Sequence, residues 1–160
     1  MKSRYICRYH AEQIKALESK ALISWSGTMN RGVKAYTQCR IEAAEIYLES
    51  ALDIALLRSE CENNGIFTSI HIEKPVEFLV EINLSEHNFD SANRILQKVT
   101  CGIPENSDLY SISLDRFLIR QYQRVERLEG DYFCRKANSR NTTSSNTTKS
   151  GLEHDLQALN

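Results

Sequence analysis

Arginines recur along one face of the last long segment that has helical patterning. Their spacings of four, four and three residues place them on the same side of an α-helix: Arg116, Arg120, Arg124 and Arg127. Like charges four residues apart repel each other slightly, so the stability of the helix does not explain this arrangement. A row of guanidinium groups can bind an acidic peptide, a carboxylate or a nucleic-acid phosphate. We therefore take these four arginines as candidate partner-binding residues. The alternative is a solvated face balanced by Asp115, Glu126 and Glu129, or by acidic residues of a neighbouring helix.

A cysteine and a histidine near the start of the chain have the spacing of half a metal site. Cys7 and His10 form a C-x-x-H pair, but a structural zinc site needs four ligands and no second pair has matching spacing. We expect no metal site and no other cofactor. The five cysteines are odd in number and widely scattered, which predicts reduced thiols that serve as small core residues: Cys7, Cys39, Cys61, Cys101 and Cys134.

Carboxylates follow the middle of the chain at helical spacing. A paired-carboxylate site would need Glu42, Glu45 and Glu49 to face inward. The apolar stripe of the same segment points elsewhere, so we predict that these glutamates face solvent. The sequence also lacks a glycine-rich phosphate loop, a GxSxG motif and an HExxH motif. These absences favour a protein that is not an enzyme.

Four aromatic residues have two interpretations. They could line a binding groove, because aromatic side chains anchor many interfaces, or they could belong to the core. Their helical spacing favours the core: Tyr9, Trp25, Tyr36 and Tyr47.

Composition narrows the class of protein. The chain has 160 residues, which suits one domain, and only 6 glycines and 2 prolines, which favours long helices with short loops. Its 20 Lys and Arg residues against 21 Asp and Glu residues give a net charge of −1, which argues against a protein that binds nucleic acid through its overall charge. The first residues carry positive charge without an apolar run, and no stretch approaches the roughly 18 apolar residues of a membrane span. We therefore expect a cytoplasmic protein with no membrane partner.

The apolar periodicity predicts an all-α fold. The predicted helices cover Tyr5–Leu22, Ile23–Arg40, Ile41–Cys61, Val76–Ser85 with Pro75 near the start, a segment capped by Asn88 or Asp90, and a last one from Ser107 or Asp108 to Leu128. The predicted buried face of the last helix comprises Leu109, Ile112, Leu114, Phe117, Leu118, Tyr122 and Val125.

The end of the chain changes in composition. Glu129, Gly130 and Asp131 predict a break, and YFCRKA predicts one short further helix. From Asn138 the run NSRNTTSSNTTKSG cannot bury a core. We predict a helical domain over residues 1–137 and a disordered Ser/Thr/Asn-rich tail over residues 138–160.

Two stretches resemble tetratricopeptide repeats, which are helix–turn–helix units of about 34 residues. In NFDSANRILQKVTCGIP, Ala92 and Leu96 occupy the small and large positions of the second helix, and Val99 replaces the usual alanine. In GVKAYTQCRIEAAEIYLESALDIA the small, large and small positions are filled, and a glycine lies in the first helix: Ala44, Leu48, Ala51 and Gly32. RLEGDYFCRKA is a third, partial match. The interval from Ala44 to Ala92 is longer than one standard repeat.

The resemblance, which spans about residues 22–137, implies stacked antiparallel helical hairpins. It also implies a groove lined by the first helices that holds a peptide or helix of another protein. On that basis the predicted function is a protein–protein interaction module: an adaptor, a chaperone or an accessory regulator, with an unidentified partner and oligomeric state. The alternative is a helical regulator that binds nucleic acid or another polyanion through the arginine stripe.

Overall fold

A computed structural model of the chain describes residues 6–61, 65–104, 107 and 111–147, with side chains described as far as residue 137. The described residues form six α-helices and contain no strand, which confirms the predicted all-α class. In chain order the helices are α1 (Arg8–Ala16), α2 (Glu18–Thr37), α3 (Ile41–Ser59), α4 (Ile70–Ser85), α5 (Phe89–Gly102) and α6 (Ile112–Thr147). The chain divides into two compact units, Met1–Val125 and Glu126–Asn160. Within the described ranges, no helix has an apolar stretch long enough to cross a membrane.

The first predicted helix is interrupted at Leu17. This residue has an extended backbone (φ −130°, ψ 106°), which ends α1 and begins α2. The single helix predicted over Tyr5–Leu22 is therefore wrong. The apolar spacing continues across the break, so the periodicity could not reveal it. The change of direction lets α1 pack against both α2 and α3.

Helix α3 is the centre of the first unit. Every residue from Ala51 to Ser59 is buried, because α3 packs against α1, α2 and α4. Arg58 lies inside this stretch, and its guanidinium donates hydrogen bonds to the carbonyls of Ile14 and Lys15 at 3.4 and 2.9 Å. Carbonyls in the last turn of a helix have no partner within that helix. Arg58 therefore caps α1 and attaches it to α3.

The turn that joins α2 to α3 has the same geometry as the turn that joins α4 to α5. Each contains one residue with positive φ, Cys39 (φ 56°) in the first turn and His87 (φ 57°) in the second. The next residues, Arg40 and Asn88, have φ and ψ of −93° and 71°, and of −94° and 67°. Their N–H groups donate to the carbonyl five residues earlier, at 2.9 and 2.8 Å, the bond of a Schellman motif. Equivalent residues lie 48 positions apart, so the two hairpins repeat one turn geometry.

The buried residues of the second helices, α3 and α5, also correspond to each other at an interval of 48 positions. The small, large and small positions of both hairpins are fully buried: Ala44, Leu48 and Ala51 in α3, and Ala92, Leu96 and Val99 in α5. A Cβ atom added to Gly32 would lie 2.8 Å from Cγ of Leu48. The lack of a side chain at Gly32 therefore allows α2 to approach α3 closely.

The predicted buried face of the last long helix is correct in part. Four of its residues are buried: Leu114, Phe117, Leu118 and Val125. Tyr122 is half-buried, and Leu109 lies outside the described residues. Ile112 is 72% exposed, which contradicts the prediction. It precedes Leu114 by two residues, about 200° around a helix, so it faces away from the core. Ser111 caps α6, because its hydroxyl accepts a hydrogen bond from the N–H of Leu114 at 3.2 Å.

The break predicted at Glu129, Gly130 and Asp131 is wrong, because these residues lie inside α6. A glycine costs a helix only about 1 kcal/mol relative to alanine, and good helix formers precede Gly130. This described segment therefore contains no separate short helix at YFCRKA. It also lacks the turn that a third tetratricopeptide-like unit would need at RLEGDYFCRKA. Helix α6 also continues to Thr147, beyond the predicted helical end at 137. Residues 138–147 contain no glycine or proline that would interrupt it. Residues 148–160, the remainder of the predicted tail, lie outside the described residues.

Candidate functional site

The four candidate arginines do not share one environment. Arg116, Arg120 and Arg124 belong to the first unit, and Arg127 is exposed in the second. Arg124 is half-buried and forms an ion pair with Glu81 of α4. Arg116 and Arg120 are exposed, with no ion pair among the described residues. A neighbouring helix thus balances Arg124, as the alternative interpretation predicts, but this balance does not extend to the two exposed arginines.

A groove of about 650 Å³ lies between the second helices of the two hairpins, α3 and α5. The end of α4 and the α4–α5 turn contribute Asn83, Glu86 and Asn88 to it. The resemblance implied a groove lined by first helices instead. This groove is therefore a site that the sequence did not predict.

One wall of the groove is acidic. Glu42, Glu45 and Glu49 line it from α3, and Glu86 adds a fourth carboxylate from the end of α4. The spacing of three and four residues along α3 keeps the first three on the same side of the helix. Glu45 and Glu49 are half-buried, so the prediction that all three glutamates face solvent holds only for Glu42.

Glu45 has the most perturbed environment of these carboxylates. Burial raises the pKa of Glu45, and the negative charges of Glu86 and Glu49 raise the pKa further. A hydrogen bond from Nδ2 of the buried Asn83 to Oε1 of Glu45, at 3.4 Å, acts in the opposite direction and lowers the pKa. The net effect is a raised pKa, because the neighbouring groups leave the negative charge of Glu45 incompletely neutralised.

The opposite wall carries two cations, and both have partners within the protein. Lys98 of α5 forms an ion pair with Asp53, a fully buried residue of α3, at 2.6 Å. The guanidinium of Arg94 donates to the hydroxyl of Ser91 at 2.7 Å. Because the charge of Lys98 offsets Asp53, it does not neutralise the carboxylates of the facing wall. The groove therefore presents an excess of negative charge.

The floor of the groove is apolar. Leu52 and Ile95 are buried there, and Ile46 lies on α3 between Glu45 and Glu49 with 47% of its surface exposed. An isoleucine between carboxylates offers a contact for an aliphatic chain while the carboxylates bind its charged end. The groove can therefore bind a ligand that is both apolar and cationic.

The four predicted aromatic residues lie in different environments. Tyr9 is 66% exposed, so the core prediction is wrong for this residue. Trp25 and Tyr47 are half-buried. Tyr36 is also half-buried and packs edge-on against Phe78 of α4, with ring centroids 5.5 Å apart.

The cysteines and histidines do not assemble into a reactive or metal-binding cluster in the described part of the chain. Sγ of Cys7 lies 3.3 Å from Nδ1 of His10, and no group of three potential ligands occurs among the described residues. No disulfide joins the five cysteines; four of them are exposed, and Cys61 is half-buried. The prediction that they are core residues is therefore wrong: Cys7, Cys39 and Cys61 lie outside the helices, and Cys101 and Cys134 lie on exposed positions of α5 and α6.

Comparison of the chain with protein-family models, with curated proteins and with solved structures found no match.

Proposed function

We propose that this chain is a protein–protein interaction module of the tetratricopeptide type, which binds a cationic segment of a partner protein in the groove between α3 and α5. Binding, without chemistry, is the activity. The repeated turns and the buried small, large and small positions support the repeat assignment. The 48-residue register means that the connection between hairpins is longer than in a standard repeat.

The single observation that carries the proposal is the acidic wall of α3. Three carboxylates repeat over about two turns of helix, which spans roughly 10 Å along the axis. Lysine or arginine side chains at similar spacing on a partner helix or extended peptide would pair with Glu42, Glu45 and Glu49. Their binding would also relieve the repulsion between Glu45 and its acidic neighbours.

The lining of the groove supports a peptide as the ligand. The exposed face of Ile46 provides apolar contact beside the charges of the acidic wall. The aliphatic stem of a lysine can pack on Ile46 while its ammonium reaches a carboxylate. Specificity would come from the alternation of apolar and cationic residues.

A titration with a labelled synthetic peptide tests the proposal. The peptide carries lysines at i, i+3 and i+7 with a leucine between them, and binding is followed by fluorescence anisotropy. We expect saturable binding that weakens about tenfold in Glu45→Gln/Glu49→Gln, because two attractive pairs are lost. The matched control is Glu12→Gln/Glu77→Gln, which removes two exposed carboxylates outside the groove. Equal affinities of the wild type and the groove variant would overturn the proposal.

Polyanion binding through the arginine stripe is the second candidate, favoured by the exposure of Arg116 and Arg120. The ion pair between Arg124 and Glu81 reduces the positive charge that the stripe offers. A labelled single-stranded oligonucleotide separates the two candidates. Oligonucleotide binding that falls steeply with salt and is lost in Arg116→Glu/Arg120→Glu, without peptide binding, would favour the polyanion function.

A further inference from the structure

The outward face of α6 in the first unit combines apolar and cationic residues. Ile112 and Ile119 are 72% and 55% exposed, and Arg116 and Arg120 are exposed beside them. These four residues lie at i, i+4, i+7 and i+8, which forms one stripe of a helix. We call this stripe the α6 face. Its side of the helix lies away from the buried Leu114 and Leu118.

The part of the chain that the structure describes offers no partner for the α6 face. Isolated exposed isoleucines are common on protein surfaces, but here two of them alternate with two arginines that repel each other. Arg124, one turn further along, has Glu81 as its ion-pair partner. Within the described residues, Arg116 and Arg120 have no such partner. The face thus has the composition of an interface, where arginine and large apolar residues are enriched.

The groove between α3 and α5 has the complementary composition. Arg116 and Arg120 are about 6 Å apart along α6, and Glu45 and Glu49 are about 6 Å apart along α3. Ile46 is exposed between these carboxylates, as Ile119 is exposed between the arginines. Each surface therefore presents two like charges, one helical turn apart, with an isoleucine between them.

We propose that the occupant of the groove is the α6 face of a second copy of this chain. This inference rests on the proposed function, because it names the cationic segment that the groove binds. The contact is heterologous: the groove of one copy takes the α6 face of the next, and its own α6 face stays available. The chain's net charge of −1 gives little overall repulsion between two copies.

Sedimentation velocity of the full chain tests the proposal through charge reversal. We expect the wild type to associate as its concentration rises, and the association to weaken with added salt. Arg116→Glu/Arg120→Glu reverses the α6 face, and Glu45→Lys/Glu49→Lys reverses the groove. Each variant alone should associate at least about tenfold more weakly, because the facing charges become alike.

An equimolar mixture of the two variants should associate again, because the surfaces that meet are oppositely charged in both arrangements. Circular dichroism checks that each variant is folded, and Glu42→Lys/Glu86→Lys, at two exposed groove positions, replaces the groove variant if it unfolds. A monomeric wild type, or a mixture no more associated than its components, would overturn the proposal. If the wild type were monomeric but bound the peptide, the proposed function would stand, and only a second copy of the chain would be excluded as the ligand of the groove.

Discussion

The indole Nε1–H of Trp25 donates a hydrogen bond to the backbone carbonyl of His71 at 2.9 Å. Within α4, the residue that would normally donate to this carbonyl is Pro75, which has no N–H. The rings of Trp25 and His71 also meet edge-on, with centroids 4.6 Å apart. A side chain of α2 therefore replaces a missing helical hydrogen bond of α4 and holds the second hairpin against the first.

Because the two residues compensate each other, Trp25→Phe and Pro75→Ala should be coupled. Trp25→Phe leaves the carbonyl of His71 without its donor, and we expect a loss of about 1–2 kcal/mol in the free energy of unfolding. In the Pro75→Ala background, the N–H of residue 75 can donate to the carbonyl of His71. Trp25→Phe should therefore lower the free energy of unfolding by about 1 kcal/mol less in that background than in the wild type. Urea denaturation of the four proteins measures this cycle. Identical costs in the two backgrounds would contradict the compensation.

Two glycines of α2 should respond in opposite directions to alanine. Gly27 has no atom within 4 Å of an added Cβ, so Gly27→Ala should stabilise the protein by about 0.5–1 kcal/mol through helix propensity. At Gly32 the added Cβ would meet the side chain of Leu48 at 2.8 Å, and we expect a net loss of about 1–3 kcal/mol. Thermal unfolding of both variants provides the comparison. Stabilisation by Gly32→Ala would show that α2 and α3 are not in such close contact.

The repeated turns should prefer glycine at their left-handed residues. Cys39→Gly and His87→Gly remove a Cβ from backbones with φ of 56° and 57°. Each should stabilise the protein by up to about 1 kcal/mol, because the steric relief exceeds the added freedom of the unfolded chain. Gln38→Gly, one residue earlier and at φ −94°, is the control and should be destabilising. If chemical denaturation gave Gln38→Gly a higher free energy of unfolding than Cys39→Gly, the shared turn geometry would be refuted.

Glu45 should make the stability of the protein depend on pH. Burial and the charges of Glu86 and Glu49 raise the pKa of Glu45 in the folded state. The folded state therefore binds the proton more tightly than the unfolded chain, and stability is lost as the pH rises through the folded pKa. Glu45→Gln removes this loss and should raise the melting temperature at pH 7. The gain in the free energy of unfolding should be less than about 1 kcal/mol, because water screens the charge of a half-buried group.

At about pH 4, below the ordinary pKa of a glutamate, Glu45 is largely protonated in both states. The melting temperatures of the wild type and Glu45→Gln should therefore converge there. Glu12→Gln, at an exposed carboxylate on α1, controls for the change in net charge. A lower melting temperature of Glu45→Gln at pH 7 would mean that the ionised carboxylate is stabilising in the groove.

The buried positions of α3 and α5 and the N-cap of α5 could be predicted from local patterns. Ala44, Leu48 and their equivalents in α5 are buried as their spacing predicts, and the side chain of Asn88 accepts from the N–H of Ser91 at 3.3 Å as an N-cap. Local patterns failed where a distant partner decides the outcome. The apolar stripe of α3 identifies the side that packs against its neighbours, but it carries no information on how α5 crosses α3.

The position of Glu45 in a groove depends on that crossing, which follows from the packing of α4 on α3. Asn83 and Glu86, the neighbours that shape its environment, are about forty residues away in sequence. The ion pair between Arg124 and Glu81 also depends on a partner that is distant in sequence, since the two residues lie on different helices. Nothing in the spacing of the arginines distinguishes Arg124 from Arg116.

NMR chemical-shift mapping can locate a cationic segment bound in the groove between α3 and α5. The lysine peptide described above is titrated into the ¹⁵N-labelled chain. We expect the amide shifts to be concentrated along Glu42–Glu49 of α3 and from Glu86 to Lys98, and to be lost in Glu45→Gln/Glu49→Gln. Shifts concentrated instead around Tyr36, Phe78 and Glu81 on the first helices, or no saturable shifts, would contradict binding in this groove.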